Sequence, residues 1–556
     1  MRPVPSILCA AALLGGCIFG LAQDGFRGVQ RGFGGRQGNF ENRQRTQQGG
    51  FGGQQGGFGG ARDRQADAAA RPGRNTGNTG AVRTGAAGSK RPFGAGPYDT
   101  STFMAGEIYV NVVLFECNGK TDAKTESWNK DEISRAITHV KNACAWWEEM
   151  WKRKKYVGKL HFTLGLDNAT TPFQTSYEPI AHGAFRDDRL WIGEYLNAQG
   201  YSGSKNQMLY QFTGDMISKH NADFAFNIFI VKADNDRDHY FQDNYRSYTL
   251  GRQHDGVSDT YILTAYSRPY DWYSSQSFAH EMAHIFGAAD EYPGQGSYME
   301  RSGYYGVQNT NAPDGNPNRN SIVPSLMNSS ISTAFEKHTT SPQSLEMVGW
   351  RDSDGDGIID VLDAPIEVTD LSSKLRLSDS IYEFRGTFTV QKVPNYNNSK
   401  AITINSVDRL LYRYGESGEW TADNDQDWGE ESKTVSRQFK IPADSVLQWK
   451  VVDASGTTES KTFTIGGVRK PKVETDRGTR SARFSFTPAT ADTGIVRYKI
   501  RVDNSVYDVG EQHTYTVSGL SSGSHAWAIQ GVCADSSVTD WLSCGSFTIS
   551  SRTQRP

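Results

Sequence analysis

His280-Glu281-Met282-Ala283-His284-Ile285-Phe286-Gly287-Ala288-Ala289-Asp290 is the stretch on which the reading of this chain turns. His280 and His284 are four residues apart, which on a helix stacks both imidazoles on one face, one turn apart. Two neutral imidazoles so placed hold one zinc ion at Zn–N distances of about 2.0–2.1 Å. Glu281 is turned aside by one helical step, where its carboxylate reaches a water at the metal rather than the metal itself. A carboxylate in that place is a general base, and the chemistry implied is zinc-assisted hydrolysis, most often of a peptide bond.

The flanks support a helix. Tyr261-Ile262-Leu263-Thr264-Ala265-Tyr266 reads as a strand, Ser274, Ser275 and Ser277 offer N-caps before Phe278, and Phe278, Met282, Ile285 and Phe286 give an apolar side to bury. Gly287 ends the helix and turns the chain back. Asp290, six residues past His284, then faces the negative end of the helix dipole. A cation resolves that conflict, so Asp290 is the third candidate zinc ligand. The plainer alternative is that Asp290 or Glu291 is a solvated turn residue.

His-Glu-x-x-His-x-x-Gly-x-x-Asp resembles the signature of the metzincin metallopeptidases. The Asp form with Tyr292 close behind looks like the snapalysin-type branch, and Ala289-Asp290-Glu291-Tyr292 is similar to the ending in bacterial IgA-cleaving metallopeptidases. The resemblance covers about residues 98–350. It implies an α+β catalytic domain with a mixed twisted sheet and an active-site helix, zinc (Zn2+) as cofactor, and Glu281 as the catalytic residue. It also implies a methionine turn beneath the metal. Ser325-Leu326-Met327-Asn328, with Met327 37 residues after Asp290, fits that turn. Several relatives carry a Tyr two residues after the methionine; this chain has Ser329 there. A transition-state donor must then come from elsewhere, with Tyr292, Tyr304 and Tyr305 as candidates. Upstream, Glu107–Phe115, Leu160–Leu164 and Phe224–Val231 read as strands, Asp131–Trp151 as a helix, and Arg246–Leu250 as an edge strand. With the strand at Tyr261 and the zinc helix, this is the order of the metzincin upper subdomain.

At 556 residues the chain has room for three or four folded units. Residues 1–22 read as a secretory signal, with Arg2 ahead of an apolar stretch from Ile7 to Leu21 and Gly20-Leu21-Ala22 suited to cleavage. Leu14-Gly15-Gly16-Cys17 resembles a bacterial lipobox, the alternative being lipid attachment at Cys17. Either reading sends the protein to the periplasm or the exterior. No other apolar run is long enough to span a membrane. Residues 23–97 are rich in Gly, Arg and Gln, with twelve Lys or Arg against four Asp or Glu from residue 24 on. Such a segment has too few apolar groups to offset chain entropy and is expected to be disordered. The signal argues against a nucleic-acid partner. A tether or contact with acidic envelope polymers fits better.

Asp352-Ser-Asp354-Gly-Asp356-Gly-Ile358-Ile-Asp360-Val-Leu-Asp363 places acids at positions 1, 3, 5, 9 and 12 of a loop, with Gly357 at position 6. That is the spacing of an EF-hand-type calcium (Ca2+) loop, Ile358 supplying a carbonyl. It resembles the loops of dockerins and thrombospondin type 3 repeats. Residues 351–364 thus read as a calcium-binding linker with a structural role. Beyond it, Leu447–Val451 followed by Thr462–Ile465 is echoed by His525–Ile529 followed by Ser546–Ile549. Each pair reads as the last hairpin of a β-sandwich, giving one at 365–467 and another at 468–552. The last resembles a fibronectin type III domain, with Val517-Ser-Gly519-Leu520 ahead of Trp527. Four cysteines remain after the signal. Cys533 with Cys544, and Cys117 with Cys144, are the expected disulfides, with free thiols the alternative for the second pair.

The expectation is a secreted, monomeric zinc endopeptidase acting on a protein or glycoprotein substrate, with an adhesin or glycan-binding protein bearing an inert peptidase fold as the rival reading.

Overall fold

The computed structural model describes residues 91–249 and 258–551. The signal segment, Cys17 and the 23–97 tract up to residue 90 lie outside the described residues.

The first folded unit is built on strands β1 (Gly106–Cys117), β2 (Leu160–Gly165), β3 (Phe173–Thr175), β4 (Phe224–Lys232), β5 (Ser247–Thr249) and β6 (Tyr261–Tyr266). The order across the sheet is β2-β1-β4-β6-β5, with β3 pairing the end of β1. All pairs are parallel except β5, which runs antiparallel at the edge. Every residue of β4 is buried, as a run of β-branched and aromatic residues in a sheet covered on both faces requires. Helix α1 (Lys130–Lys154) and the motif helix (Asp271–Ile285) cover one face. Helices Arg189–Ala198 and Lys205–His220 cover the other.

Local chemistry sets α1. Asn129 accepts from Glu132 N while the Glu132 carboxylate takes the Asn129 N–H, a capping box, and Lys155 in the left-handed region ends the helix. Its buried stripe includes Ile137, Val140, Cys144, Trp147 and Trp151. Trp147 donates its indole N–H to the Ala279 carbonyl of the motif helix at 3.0 Å.

After the short helices Ile331–Lys337 and Pro342–Met347, the described chain from residue 367 on is built of strands. Strands 367–376, 381–389 and 432–440 form a three-stranded sheet, and 407–414, 421–430, 447–452 and 463–465 a four-stranded one. The unit after it repeats the plan, with 469–476, 481–487 and 514–517 in one sheet and 495–502, 505–510, 523–533 and 542–549 in the other. The two echoed segments pair as hairpins, Trp449 opposite Phe463 and His525 opposite Phe547. One continuous apolar core runs through both units.

Several expectations need correction. All four described cysteines are free. Cys544 falls opposite the Trp527 region of its partner strand, six residues from Cys533. That is about 20 Å along the strand, far outside the 4.4–6.8 Å Cα spacing of a disulfide. Trp128, at the start of α1, bonds the Phe115 carbonyl at 2.8 Å. Cys144 lies fourteen residues along that helix from Lys130, about 21 Å from Cys117's end of β1. The even cysteine count therefore misled on both pairs. The motif helix starts at Asp271, not at Ser274–Ser277, and Ser274 Oγ instead donates back to the Tyr270 carbonyl at 3.2 Å. The end of the basic tract is folded: Phe93 bridges Thr403. The domain boundary near 365 is also less clean than expected. A hairpin from the first sandwich, Val393–Pro394 with Ala401–Ile402, leaves its own sheets and packs on the α/β unit. Ile402 belongs to the core of that unit, Tyr304 donates its hydroxyl to the Val393 carbonyl, and Tyr396 N donates to the Tyr304 carbonyl at 2.8 Å.

Candidate metal centre

The motif helix buries Phe278, Met282 and Ile285 against the sheet and carries His280, Glu281 and His284 at its C-terminal end. Gly287, at φ 92°, takes the left-handed turn that sends the chain back, and Ala288 N closes on the Ala283 carbonyl at 3.0 Å. That return brings Asp290 to the histidines. Its Oδ1 lies 3.2 Å from His280 Nε2 and 3.2 Å from His284 Nε2, and the two Nε2 atoms are 3.2 Å apart.

The far sides of both rings fix what these atoms are. His280 Nδ1 sits 3.0 Å from the Leu326 carbonyl and His284 Nδ1 2.7 Å from the Ala288 carbonyl. Each Nδ1 must donate to its carbonyl, so in the neutral ring each Nε2 is a bare acceptor. With both rings neutral, three acceptors thus converge around the buried Asp290 Oδ1, and without a metal ion a proton on His284 takes the place of the cation. Such an arrangement is costly unless a cation sits in it. The spacing fits one. Ligand atoms at the corners of a tetrahedron about 2.0–2.1 Å from zinc are about 3.3 Å apart. The residues present therefore suit zinc in ligand type, number and mutual distance. The same electrostatics show in the protonation equilibria. Burial opposes charge on His284, but the Asp290 carboxylate lifts it to about 10. Burial likewise opposes charge on Asp290, and the two imidazoles hold it well below the usual carboxylate range.

Glu281 is buried beside this triangle, its Oε2 accepting the Thr249 hydroxyl at 2.8 Å. Thr249 is the last residue of edge strand β5. The Ser325–Asn328 turn backs the site. Leu326 supplies the carbonyl for His280, the Met327 carbonyl accepts Glu291 N at 2.8 Å, and Met327 itself is fully buried. Of the three tyrosines considered, Tyr304 and Tyr305 are occupied elsewhere, at Val393 and under the Arg351 guanidinium. Tyr292 stands at the site, its ring 6.4 Å from that of His280. Burial, then the charges of Asp290 and Glu281, push its hydroxyl pKa well up.

Two features had no signal in the sequence. Glu291 is no solvated turn residue. It is 1% exposed and accepts from Asn311 Nδ2 at 2.7 Å and from the Ser344 and Ser341 hydroxyls, anchoring the loop past the metal ligands. Gly296 passes so close that a Cβ there would lie 1.7 Å from the Asp290 carbonyl oxygen, which also accepts from Asn309 Nδ2 at 2.7 Å. Gly296→Ala must push that carbonyl aside. It is expected to weaken zinc binding about 10- to 100-fold, as changes just outside a ligand shell do, measured by competition with a chelator of known affinity. Unchanged affinity would refute the close approach.

In the second acidic loop, carboxylate oxygens of Asp352, Asp354 and Asp356 lie within 4.8 Å of one another. Asp363 faces them: burial and then the charges of Asp356, Asp354, Asp360 and Asp352 raise its pKa. Asp360 is turned toward Ser353, accepting its N–H at 2.8 Å and its hydroxyl at 2.7 Å. Ile358 N donates to Asp356 at 2.7 Å. Gly357 takes φ 91° and lends its carbonyl to Val157 N at 2.7 Å.

No family model matches the chain, and no curated protein matches it. Among solved structures, the central fibronectin-III array of RIM-binding protein is similar over 34% of this chain and 71% of that one, at 12% identity and a TM-score of 0.14. The FN1–FN3 domains of chicken CNTN1 are similar over 34% of this chain and 69% of theirs, at the same identity and TM-score.

Proposed function

We propose that residues 98–350 are a metzincin-like zinc endopeptidase domain that hydrolyses protein or glycoprotein substrates outside the cytoplasm. The observation that carries this reading is the triangle of His280 Nε2, His284 Nε2 and Asp290 Oδ1, 3.2 Å on each side, with Glu281 beside it. Zinc held there supplies Lewis acidity that polarises a scissile carbonyl and makes water acidic. Glu281 takes the proton of the attacking water and passes it to the leaving amide nitrogen. Tyr292, whose ring lies 6.4 Å from that of His280, is the candidate hydroxyl to donate to charge developing on the carbonyl oxygen. The outer edge of β5, unpaired among the described residues, offers backbone groups to which an extended peptide adds as a strand. Zinc analysis together with cleavage of a proteome-derived peptide library tests this, with Glu281→Ala as control. A wild-type chain that binds zinc yet cuts nothing the variant spares would end the reading.

Thr249 orients the base in this scheme. Thr249→Val keeps the shape and removes the donor. It is expected to lower kcat about tenfold with little change in KM, and Thr249→Ser is expected to recover most of the loss. Equal kcat in Val and Thr forms would remove Thr249 from the mechanism.

For the acidic loop we propose calcium as the structural ion. The mutual repulsion of its carboxylates is the observation that favours a divalent cation. Its Gly357 carbonyl joins the end of α1, while Asn405 Nδ2 of the first sandwich donates to Leu362 O at 2.7 Å. Calcium at 100 times its Kd adds about 2.7 kcal/mol, so Tm is expected to rise by about 5 °C or more over a chelator-treated sample. A Tm indifferent to calcium would count against it.

A further inference from the structure

Among the described residues Arg246 is a cation without a counter-ion. Its guanidinium lies 4.1 Å over the ring of Tyr270, and its buried Nε has no hydrogen-bond partner. No carboxylate of the described residues pairs with it. The titratable groups that face it are the hydroxyls of Tyr240, Tyr270 and Tyr273, and burial, the dominant influence, holds its pKa down. The helix beside it adds to the imbalance: Arg246 lines a small cavity with Thr264, Ser274 and Ser277, against the N-terminal half of the motif helix, the positive end of its dipole. Asp271, the acid of that first helical turn, is already engaged by His139 at 3.0 Å and by Tyr266 at 2.6 Å. A half-buried guanidinium among aromatic rings and hydroxyls, its Nε without a partner, is chemistry suited to a carboxylate.

Its position gives that carboxylate a source. Arg246 immediately precedes β5, and its carbonyl accepts Ala265 N at 2.7 Å. Three residues on, Thr249 touches Glu281, about 10 Å away along the strand. A peptide lying along β5 advances at the same rise, so a residue two or three places from its scissile bond comes level with Arg246. Tyr273 links the two places, since it feels the charges of both Arg246 and Glu281.

We propose that Arg246 is a specificity residue that binds the carboxylate of an Asp or Glu side chain two to three residues from the scissile bond. This rests on the peptidase reading above and adds the substrate class: acidic peptide segments. A hydrogen-bonded charge pair of this kind corresponds to roughly a tenfold to hundredfold preference in kcat/KM.

The test uses the full zinc-loaded chain and two peptide libraries, one natural and one with every Asp and Glu replaced by Asn and Gln, with products sequenced by mass spectrometry. The expected result is Asp or Glu enriched at one position two or three residues from the cut bond, and slower cleavage of the neutral library. In Arg246→Gln the ratio of the two rates is expected to fall to about one, and Arg246→Lys is expected to keep part of it. Wild-type cleavage with no acidic enrichment overturns the proposal and leaves the peptidase reading standing. No cleavage of either library overturns that reading and the proposal with it. The wild-type comparison decides the matter even where a variant fails to fold.

Discussion

Glu281→Gln is expected to bind one zinc per chain as the parent does and to cleave peptides about 10²- to 10⁴-fold more slowly, the range that a general base contributes. The change is nearly isosteric. The Glu281 carboxylate does not join the ligand triangle and is held by Thr249, so an amide in its place keeps the hydrogen bond and leaves the metal donors untouched. What it loses is the ability to take a proton. Asp290→Ala is expected to fail the other way. It removes one of three donors and leaves two bare imidazole nitrogens 3.2 Å apart, so zinc is lost at chelator concentrations that the parent withstands, and activity goes with it. Zinc stoichiometry and kcat measured on both variants separate base from ligand. A Glu281→Gln chain with parental activity would dismiss Glu281 as the base, and an Asp290→Ala chain that keeps zinc equally tightly would dismiss Asp290 as a ligand.

A chain ending at residue 364 is expected not to form a stable catalytic unit, although every proposed catalytic residue precedes that point. The hairpin at 393–402 would be missing. Burying Ile402, Val393 and Ile404 against the α/β core contributes about 1.5–3 kcal/mol for each side chain that is fully covered. The hairpin also supplies Tyr304 with two hydrogen bonds and Phe93 with a strand partner, each net about 1 kcal/mol. The fully buried Tyr304 would have its ring uncovered to water. Together these approach the 5–15 kcal/mol that holds a whole domain folded. A chain ending at 467 keeps the hairpin and is expected to retain zinc binding and a cooperative thermal transition. Comparing the two by calorimetry and zinc content tests this. Equal stability of the 364 and 467 forms would show the hairpin to be a passive appendage.

The meeting of His280, His284 and Asp290 was readable because it is local: they fall within eleven residues, and helical periodicity with one glycine fixes how they meet. Strands β1, β2, β4 and β6 and helix α1 were readable for the same reason: each carries its own local signal, an apolar run or alternation in the strands and a helical period in α1. Thr249, Glu291, Gly296 and the 393–402 hairpin were not. Gly296 meets Asp290 only because a turn folds six residues back on themselves, and the others meet partners at least 20 residues away, as Glu291 meets Asn311 and Val393 meets Tyr304. Helices 189–198 and 205–220 escaped because Asn, Gln, Gly and Thr dilute their apolar faces, although Ser204 does cap the second. The cysteines show the opposite error, where a count suggested a geometry that strand register forbids.

The latch between Thr249 and Glu281 makes β5 more than a rail. A short peptide mimic that pairs with this three-residue edge and shifts it would disturb the base without ever touching zinc. If the proposed peptidase reading holds, inhibitors need no metal-chelating group, and their selectivity among zinc hydrolases would come from the edge strand instead.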